Sequence, residues 1–474
     1  MGFWVSLAAY TVALLLAFTI ATLHRSLQSK RTSATALNKP PPPPGPAGHP
    51  LLGSLLYVIG PLRHNPHRSL VALAEAHGPI VYLRLGLTRA MAVVSSAAVA
   101  HEALVKNDAA LAARLVPDNV RALSYGATSM VFLPSSDQLW RQLRVLIGAG
   151  FSSSQIRHVL ERRAGQLAEH VRACAVSGRP VNIREAVNGT VLNVVSNVLF
   201  SEDVVDLREQ QKAQTFKSLV VPVLEEWSKP SVSDAFPFLG PLEHLLGSRR
   251  RISTHLAKLF RFFDEVIIEK RLACGKKHND ILDALLSRMA MAKLTRQQIT
   301  TFLTDMFIAA SDTSTVTVQW AMAELLHHPD KMKKVNAELA EQLGSKDFVT
   351  EGDLSKLPYL HAVVKETLRL HPAVPLIPRE VVADDVSLGG FHVPKGTGVV
   401  VNLWAIGRDK SAWPRPEEFI PERFLVGQEV HSSMVKEAYR PFGAGRRVCP
   451  GMDYTARSVP LLLASILHRN EWRT

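Results

Sequence analysis

Residues 442–451 read Phe442-Gly443-Ala444-Gly445-Arg446-Arg447-Val448-Cys449-Pro450-Gly451, and they are the most informative stretch of the 474-residue chain. Its three glycines let the backbone turn tightly and approach a flat ligand, because glycine has no Cβ. Pro450 precedes a predicted helix from about Met452 to His468. Cys449 would therefore lie at a helix N-terminus, where free N–H groups and the helix dipole favour a thiolate. Such a loop is suited to hold haem iron through sulfur, with Arg446 and Arg447 available to a propionate. A buried cysteine in a Gly-rich turn would not explain the whole spacing.

Composition indicates a large globular protein that faces a reducing compartment. The chain is 47% hydrophobic and 20% charged, which excludes global disorder. Three cysteines, Cys174, Cys274 and Cys449, are too few for a disulfide scaffold. The net charge of +13 suits anionic lipid headgroups or an acidic protein partner. The chain has no zinc-ligand spacing or interleaving of aromatic and basic residues, so we predict no nucleic-acid partner.

The N-terminus is predicted to anchor the protein in a membrane. Phe3 to Leu23 are 21 consecutive uncharged residues, which is long enough to span a bilayer. Basic residues follow this run and none precedes it, so residues 1–24 are predicted to be a single-pass anchor with the bulk of the chain in the cytosol. A cleaved signal peptide is the alternative, but its charged n-region is missing. Residues 25–49 form a basic and Pro-rich hinge, in which Pro40 to Pro44 predict a semi-rigid polyproline spacer.

From about Pro50 onward the chain has no internal repeat or low-complexity linker, which predicts one domain over residues 50–474. Most of it has helical periodicity, so the predicted fold class is mainly α with a small β region. The predicted helices are Arg157 to Val176, His255 to Leu272, Asp280 to Met291, Arg296 to Leu326, Asp330 to Leu343 and Pro358 to Leu370. The predicted strands are Ile80 to Gly86, Met91 to Ser95, Val386 to Leu388, Phe391 to Val393 and Val399 to Asn402.

Three further motifs precede the cysteine loop. Glu366 and Arg369 share a helix face, and Arg423 follows in Pro421-Glu422-Arg423-Phe424. A single E-x-x-R pair carries little weight, because most such pairs are exposed.

Asp312 and Thr313 lie in Ala309-Ala310-Ser311-Asp312-Thr313-Ser314. Thr hydroxyls there can bond the carbonyl one turn earlier, and a local widening of the helix would leave a groove. The plain alternative is a Ser-Asp-Thr helix start. Trp140 and Arg144 are four apart on a helix and, taken alone, fit a core Trp beside a surface Arg.

Taken in order, these motifs resemble those of the cytochrome P-450 family over nearly the whole chain. The resemblance implies the cytochrome P-450 fold behind an N-terminal transmembrane helix, with heme b (iron-protoporphyrin IX) bound through the Cys449 sulfur. It also implies that Trp140, Arg144, Arg447 and Arg379 bind the propionates, although the segment from His371 to Arg379 is a residue shorter than the commonest family form. Phe442, Gly445 and Gly451 belong to the haem-binding loop.

The resemblance gives Asp312 and Thr313 the proton relay that serves O–O cleavage. Alanine stands at position 310, where the family more often has glycine, and its methyl group would narrow the oxygen groove. Glu366, Arg369 and Arg423 would form a structural triad in which two guanidiniums flank a buried carboxylate.

Ser233 to Leu239 and Pro441 to Arg447 resemble plant microsomal enzymes of the geraniol-hydroxylase-like group. The implied function is an O2-activating monooxygenase that receives electrons from NADPH through NADPH-cytochrome P-450 reductase. It would hydroxylate a small lipophilic molecule, a mono- or diterpenoid by analogy, at the endoplasmic reticulum membrane, in contact with its lipids. The alternatives are a haem-thiolate isomerase or dehydratase, and an inactive truncated membrane haem protein.

The chain ends six residues after the helix that closes near His468. Family members usually continue through a β-hairpin that forms one wall of the substrate pocket. We therefore expect the chain as written to load some haem while having low thermal stability and poor coupling.

Overall fold

The computed structural model describes residues 40–49, 52–59, 65–86, 89–152, 154–205, 210–229, 232–236, 247–425 and 433–473. The predicted anchor, Phe3 to Leu23, lies outside the described residues. None of the helices within those ranges combines the length and the apolar character needed to cross a membrane.

The predicted fold class, mainly α with a small β region, is confirmed. The α-helices are α1 Leu55–Ile59, α2 Pro66–His77, α3 Ala97–His101, α4 Tyr125–Thr128, α5 Gln138–Ser152, α6 Ser154–Val176, α7 Ile183–Phe200, α8 Gln210–Ser228, α9 Val232–Ala235, α10 Ser248–Arg261, α11 Glu269–Cys274, α12 Ile281–Ala290, α13 Arg296–His327, α14 Pro329–Leu343, α15 Pro358–Leu370, α16 Leu403–Ile406, α17 Ser433–Ala438 and α18 Met452–Leu467. Short π-helical turns continue α3 and α10, over Glu102–Lys106 and Phe262–Ile268.

Helix α13 is the longest of the described helices, with 32 residues. It begins with a capping box, in which the Thr295 hydroxyl accepts from the Gln298 N–H and the Gln298 side chain accepts from the Thr295 N–H. The helix is buried over most of Ile299 to Phe307 and packs against α7 and α18. It therefore forms the centre of the helical core and fixes the residues that follow Phe307.

Periodicity did not predict α7, although this helix is central to the core. Thirteen of its 18 residues are buried. A helix that is buried on all sides has no polar stripe, so the signal on which the prediction depended is absent.

The main sheet has four strands in the order β1-β2-β6-β3, and β4 and β5 form a separate hairpin. The strands are β1 Ile80–Leu85, β2 Arg89–Val94, β3 Leu376–Glu380, β4 Val386–Leu388, β5 Phe391–Val393 and β6 Gly398–Asn402. Strand β3 contains Pro378 and was not predicted. It lies at the edge of the sheet, where the missing proline N–H costs no ladder hydrogen bond.

The Pro-rich run, predicted as a spacer, contacts the sheet at its other edge. The Pro44 carbonyl accepts from the N–H of Tyr82 on β1 at 2.7 Å, and the Pro41 carbonyl accepts from His392 at 3.0 Å. A Cβ on Gly45 would lie 2.0 Å from the Tyr82 oxygen, so only glycine allows this approach. The run thus covers the free edge of β1.

Candidate active site

The cysteine loop is shaped by two left-handed glycines and one backbone hydrogen bond. Gly443 and Gly445 both have φ of 71°. A Cβ on Gly445 would lie 2.3 Å from the Leu104 carbonyl oxygen, which excludes any other residue there. The Cys449 N–H donates to the Phe442 carbonyl at 3.0 Å and closes the loop. Helix α18 begins at Met452, as predicted, so Cys449 precedes its first turn.

The protein alone does not favour the Cys449 thiolate, contrary to our expectation. Burial raises the pKa of the Cys449 thiol, and this effect exceeds the opposing effects of the Gly451 N–H and of Arg144 and Arg114. Gly451 has φ of −91°, and a Cβ there would lie 3.8 Å from the Cys449 sulfur, so the site does not require its flexibility. A bound metal ion would supply the missing stabilisation, because a coordinating thiol is deprotonated outright.

Four arginines, Arg114, Arg144, Arg379 and Arg447, lie close to one another beside the cysteine loop, and we call them the arginine cluster. Arg379 and Arg447 are buried, and the other two are partly buried. Burial, with the charges of Arg114 and Arg447, lowers the pKa of Arg379 to about 9. Burial, with Arg114 and Arg144, lowers the pKa of Arg447 to about 10. Arg114 approaches Arg379 because Glu380, at the end of β3, donates its N–H to Ala113 at 3.0 Å.

The four guanidiniums differ in the donors that they leave free. Arg447 donates to the carbonyls of Ala112 at 2.7 Å and Met130 at 3.3 Å, and also to Leu133. Most of the donors of Arg447 therefore bind the backbone, and its contact with a propionate stays a prediction. Arg144 donates to the Val448 carbonyl at 2.6 Å.

In contrast, the buried Nε of Arg114 has no hydrogen-bond partner among the described residues. Arg379 donates to the carbonyl of its neighbour Pro378 at 2.9 Å. Arg446, which we also predicted to be available to a propionate, points to the surface and pairs with Asp108 at 3.0 Å, with 55% of its side chain exposed.

The arginine cluster fits the two propionates of haem. The charge of Asp305 partly opposes the lowering of the Arg114 pKa, and the charge of Asp108 does the same for Arg379. Among the described residues, however, neither carboxylate forms an ion pair with a member of the arginine cluster. Trp140 is buried between Arg144 and Arg447, whose guanidinium carbons lie 5.4 Å and 5.1 Å from its ring centroid. Cys449 would supply a sulfur ligand to the iron of protoporphyrin IX, and the buried arginines beside it would supply the counter-charges for the propionates.

Helix α13 carries the two predicted catalytic residues in its middle, which excludes a helix start at Ser311. The Thr313 hydroxyl donates to the Ala309 carbonyl one turn earlier at 2.9 Å, as predicted. Asp312 pairs with Arg184 on α7 at 3.3 Å, and both side chains are about half exposed. The predicted widening is wrong, since the helix is α-helical from Arg296 to His327. Ala309 is nevertheless exposed on this central helix, so open space borders it there.

The predicted structural triad is confirmed. Glu366 is fully buried and accepts from Arg369 Nε and Nη2, both at 2.7 Å. Arg423 Nε lies 3.2 Å from the same carboxylate, and the N–H of Ile420 adds a further bond at 2.9 Å. The triad joins α15 to the 3₁₀ turn Pro421–Phe424, which precedes the cysteine loop.

Sequence reasoning missed Arg114 and Asp305. Arg114 stands alone in the apolar run Leu111-Ala112-Ala113-Arg114-Leu115-Val116, and Asp305 stands alone in Phe302-Leu303-Thr304-Asp305-Met306-Phe307. A single charge inside an apolar run was the available signal, because such a residue is buried with its neighbours and needs a specific partner.

Comparisons with known proteins agree with this geometry. The sequence profile described as "Cytochrome P450" matches residues 42–474. Oryzalexin E synthase of Oryza sativa subsp. japonica is 42% identical over 99% of this chain and 91% of the relative. Ent-cassadiene C11-alpha-hydroxylase 1 of the same organism is 41% identical over 99% and 92%. Geraniol 8-hydroxylase of Catharanthus roseus is 39% identical over 91% and 87%.

Proposed function

We propose a terpenoid substrate for this chain, which belongs to the cytochrome P450 family and is a haem-thiolate monooxygenase. The observation that carries the proposal is the near full-length similarity to a geraniol 8-hydroxylase and an ent-cassadiene hydroxylase, one named for a monoterpenoid and the other for a diterpenoid. We propose hydroxylation of a mono- or diterpenoid, since the open space beside Ala309 borders an apolar stretch of α13.

Haem in this family activates O2 with electrons that reach it from NAD(P)H through a reductase. We propose NADPH-cytochrome P-450 reductase as the partner. Cys449 would hold the iron, and Arg114 and Arg379, which keep free donors, would hold the propionates together with Arg144. Trp140 contacts both Arg144 and Arg447 through cation–π interactions and so helps to position them. These residues would fix the position of the haem relative to α13.

Asp312 and Thr313 deliver protons in this proposal. Asp312 is half exposed and pairs with Arg184, so the carboxylate can exchange protons with solvent. Thr313 lies one residue further along α13, and its hydroxyl donates a hydrogen bond to the Ala309 carbonyl. Rotation of that hydroxyl would release the proton towards the open space without breaking the helix, because the bond is additional to the backbone ladder.

The experiment is co-expression of the full chain with a plant NADPH-cytochrome P-450 reductase, followed by metabolite profiling against mono- and diterpenes. We expect an NADPH-dependent product that is heavier than its substrate by one oxygen atom. A product formed without NADPH would indicate a haem-thiolate isomerase or dehydratase instead. A haem-loaded protein without turnover on the whole panel would contradict the terpenoid assignment.

We also propose that the protein is held in the endoplasmic reticulum membrane by residues 1–24, with its catalytic domain in the cytosol. The 21 uncharged residues from Phe3 to Leu23 support this location. Deletion of residues 1–30 should shift the protein from the membrane fraction towards the soluble fraction. A mature N-terminus beyond Leu23 would instead identify a cleaved signal peptide.

A further inference from the structure

Helix α13 carries a second polar site two turns before Thr313. Asp305 is 1% exposed there, and no arginine or lysine forms an ion pair with it among the described residues. Its carboxylate instead accepts hydrogen bonds from Tyr125 Oη at 2.5 Å, from Ser129 Oγ at 2.8 Å and from Met130 N at 2.7 Å. All three donors belong to the short stretch of chain from Tyr125 to Leu133. We call residues 129–133 the bridging segment.

The bridging segment lies between an anion and a cation. The Met130 N–H of the segment donates to the Asp305 carboxylate. The Arg447 guanidinium donates to the carbonyls of Met130, Val131 and Leu133 in the same segment. Arg447 is two residues from the iron ligand, so the segment connects the cysteine loop to the central helix. The segment is thereby hydrogen-bonded to a negative charge through one N–H and to a positive charge through three carbonyls.

Two further contacts attach the preceding chain to the same helix. Thr301 Oγ1 lies 3.0 Å from Thr128 Oγ1, and Gln297 Nε2 donates to the Leu123 carbonyl at 2.9 Å. Residues 297, 301 and 305 are spaced by four and continue to Ala309 and Thr313. The eight residues from Asp305 to Thr313 span about 12 Å of helix, so the bridging segment is attached to α13 about two turns before the catalytic pair.

We propose that Asp305 is a positioning residue for hydroxylation. It fixes the bridging segment as a wall of the substrate pocket and so determines which C–H bond reaches the reacting position. The ring of Tyr125 is buried behind the bridging segment, with its centroid 4.9 Å from that of Trp227 on α8 and 6.3 Å from that of Phe260 on α10, so the segment is held against the helical core. The proposal deepens the proposed function and rests on it.

The structure explains why a carboxylate is required. Asp305 accepts hydrogen bonds from Tyr125, Ser129 and Met130 and has the Arg114 guanidinium near it, and a carboxylate has only acceptors. In Asp305→Asn the amide would keep the shape but direct its NH₂ group at one of these donors. At least one buried group would then lose its partner, and the bridging segment would shift to relieve the conflict.

The test uses the haem-loaded full chain with Asp305→Asn, Tyr125→Phe and the control Asp353→Asn. Asp353 is 3% exposed and accepts from Lys346 and Thr350, both at 2.7 Å, on a different part of the molecule. The probes are imidazole and 4-phenylimidazole, whose binding shifts the haem absorption band. We expect Asp305→Asn to retain the thiolate band with carbon monoxide and its imidazole affinity, but to bind 4-phenylimidazole about tenfold more weakly, equivalent to about 1.4 kcal/mol.

Hydrogen exchange supplies a second readout on the same proteins. Asp305→Asn should accelerate exchange in peptides covering residues 124–133, Tyr125→Phe should do so to a smaller extent, and Asp353→Asn should leave them unchanged. With geraniol as the probe substrate, Asp305→Asn should also change the ratio of regioisomeric products.

Unchanged phenylimidazole affinity and unchanged exchange in Asp305→Asn would overturn the proposal. Equal effects in Asp353→Asn would overturn it too, because the cause would then be a general loss of stability. Azole binding and hydrogen exchange need no natural substrate. A wrong terpenoid assignment would therefore appear as absent turnover with both of these readouts intact.

Discussion

Replacement of Arg379 by methionine should have opposite effects on the stability of the haem-free protein and on haem retention. Arg379 is 3% exposed, and burial with two neighbouring guanidiniums lowers its pKa from the ordinary value of arginine to about 9. A base whose pKa is lowered by folding destabilises the folded state at all pH values at which it is charged when unfolded. This lowering of the Arg379 pKa corresponds to a loss of ~5 kcal/mol in the free energy of unfolding at neutral pH.

In the haem-free protein, Arg379→Met removes this charge and should stabilise the fold by ~2 to 4 kcal/mol after the altered packing is included. In the haem-loaded protein the same change removes a propionate partner, so haem should dissociate faster. Urea unfolding of protein from haem-depleted cells, followed by tryptophan fluorescence, measures the first effect. The rate of haem transfer to apomyoglobin measures the second.

Arg271 is the matched control, because this buried arginine has its partners within the protein. It donates to Asp283 at 2.6 Å and to Asp280 at 2.9 Å, and these bonds outweigh the effect of burial and raise its pKa. Arg271→Met should therefore destabilise both forms and show no reversal of sign. If haem-free Arg379→Met is destabilised as much as Arg271→Met, the charge on Arg379 is already balanced within the protein and the reasoning fails.

Four other perturbations test the rest of the site. Cys449→Ala should abolish the red-shifted carbon monoxide band that reports thiolate ligation, and retention of that band, or its loss in Cys174→Ala, would refute the assignment. Thr313→Ala should keep haem binding while more reduced O2 escapes as peroxide, so unchanged coupling of NADPH use to product would contradict the proton relay. Glu366→Gln should cost about 3 to 5 kcal/mol in urea unfolding, since two buried guanidiniums lose their counter-charge. Burial raises the pKa of Asp305 from 3.8 to about 6, so the folded state binds its proton more tightly than the unfolded chain. The free energy of unfolding of the parent protein, measured relative to Asp305→Asn, should fall by up to ~3 kcal/mol as pH rises from about 4 to about 6, and then level off. A difference between the two proteins that does not change with pH would contradict this expectation.

The fold class and the backbone shape of the cysteine loop could be predicted from local sequence patterns. The spacing of Gly443, Gly445 and Cys449 encodes a loop whose backbone angles only glycine adopts at two positions, so local information suffices. The periodicity of amphipathic helices such as α15 is local in the same sense, and so is the capping box that starts α13. Glu366 and Arg369 meet because they are three residues apart on one helix.

Which of the charged side chains are buried and which are exposed depends on contacts between distant parts of the chain. Arg446 and Arg447 are adjacent in sequence, yet one pairs with Asp108 at the surface and the other is buried against backbone carbonyls. Arg114 joins the site because the chain around Ala113 pairs with the end of β3, far along the sequence. Burial, and with it the free energy of a charge, depends on such long-range contacts, which no local pattern specifies. For the same reason Asp305 could be recognised as a buried acceptor only after folding brought residues 125–130 to it.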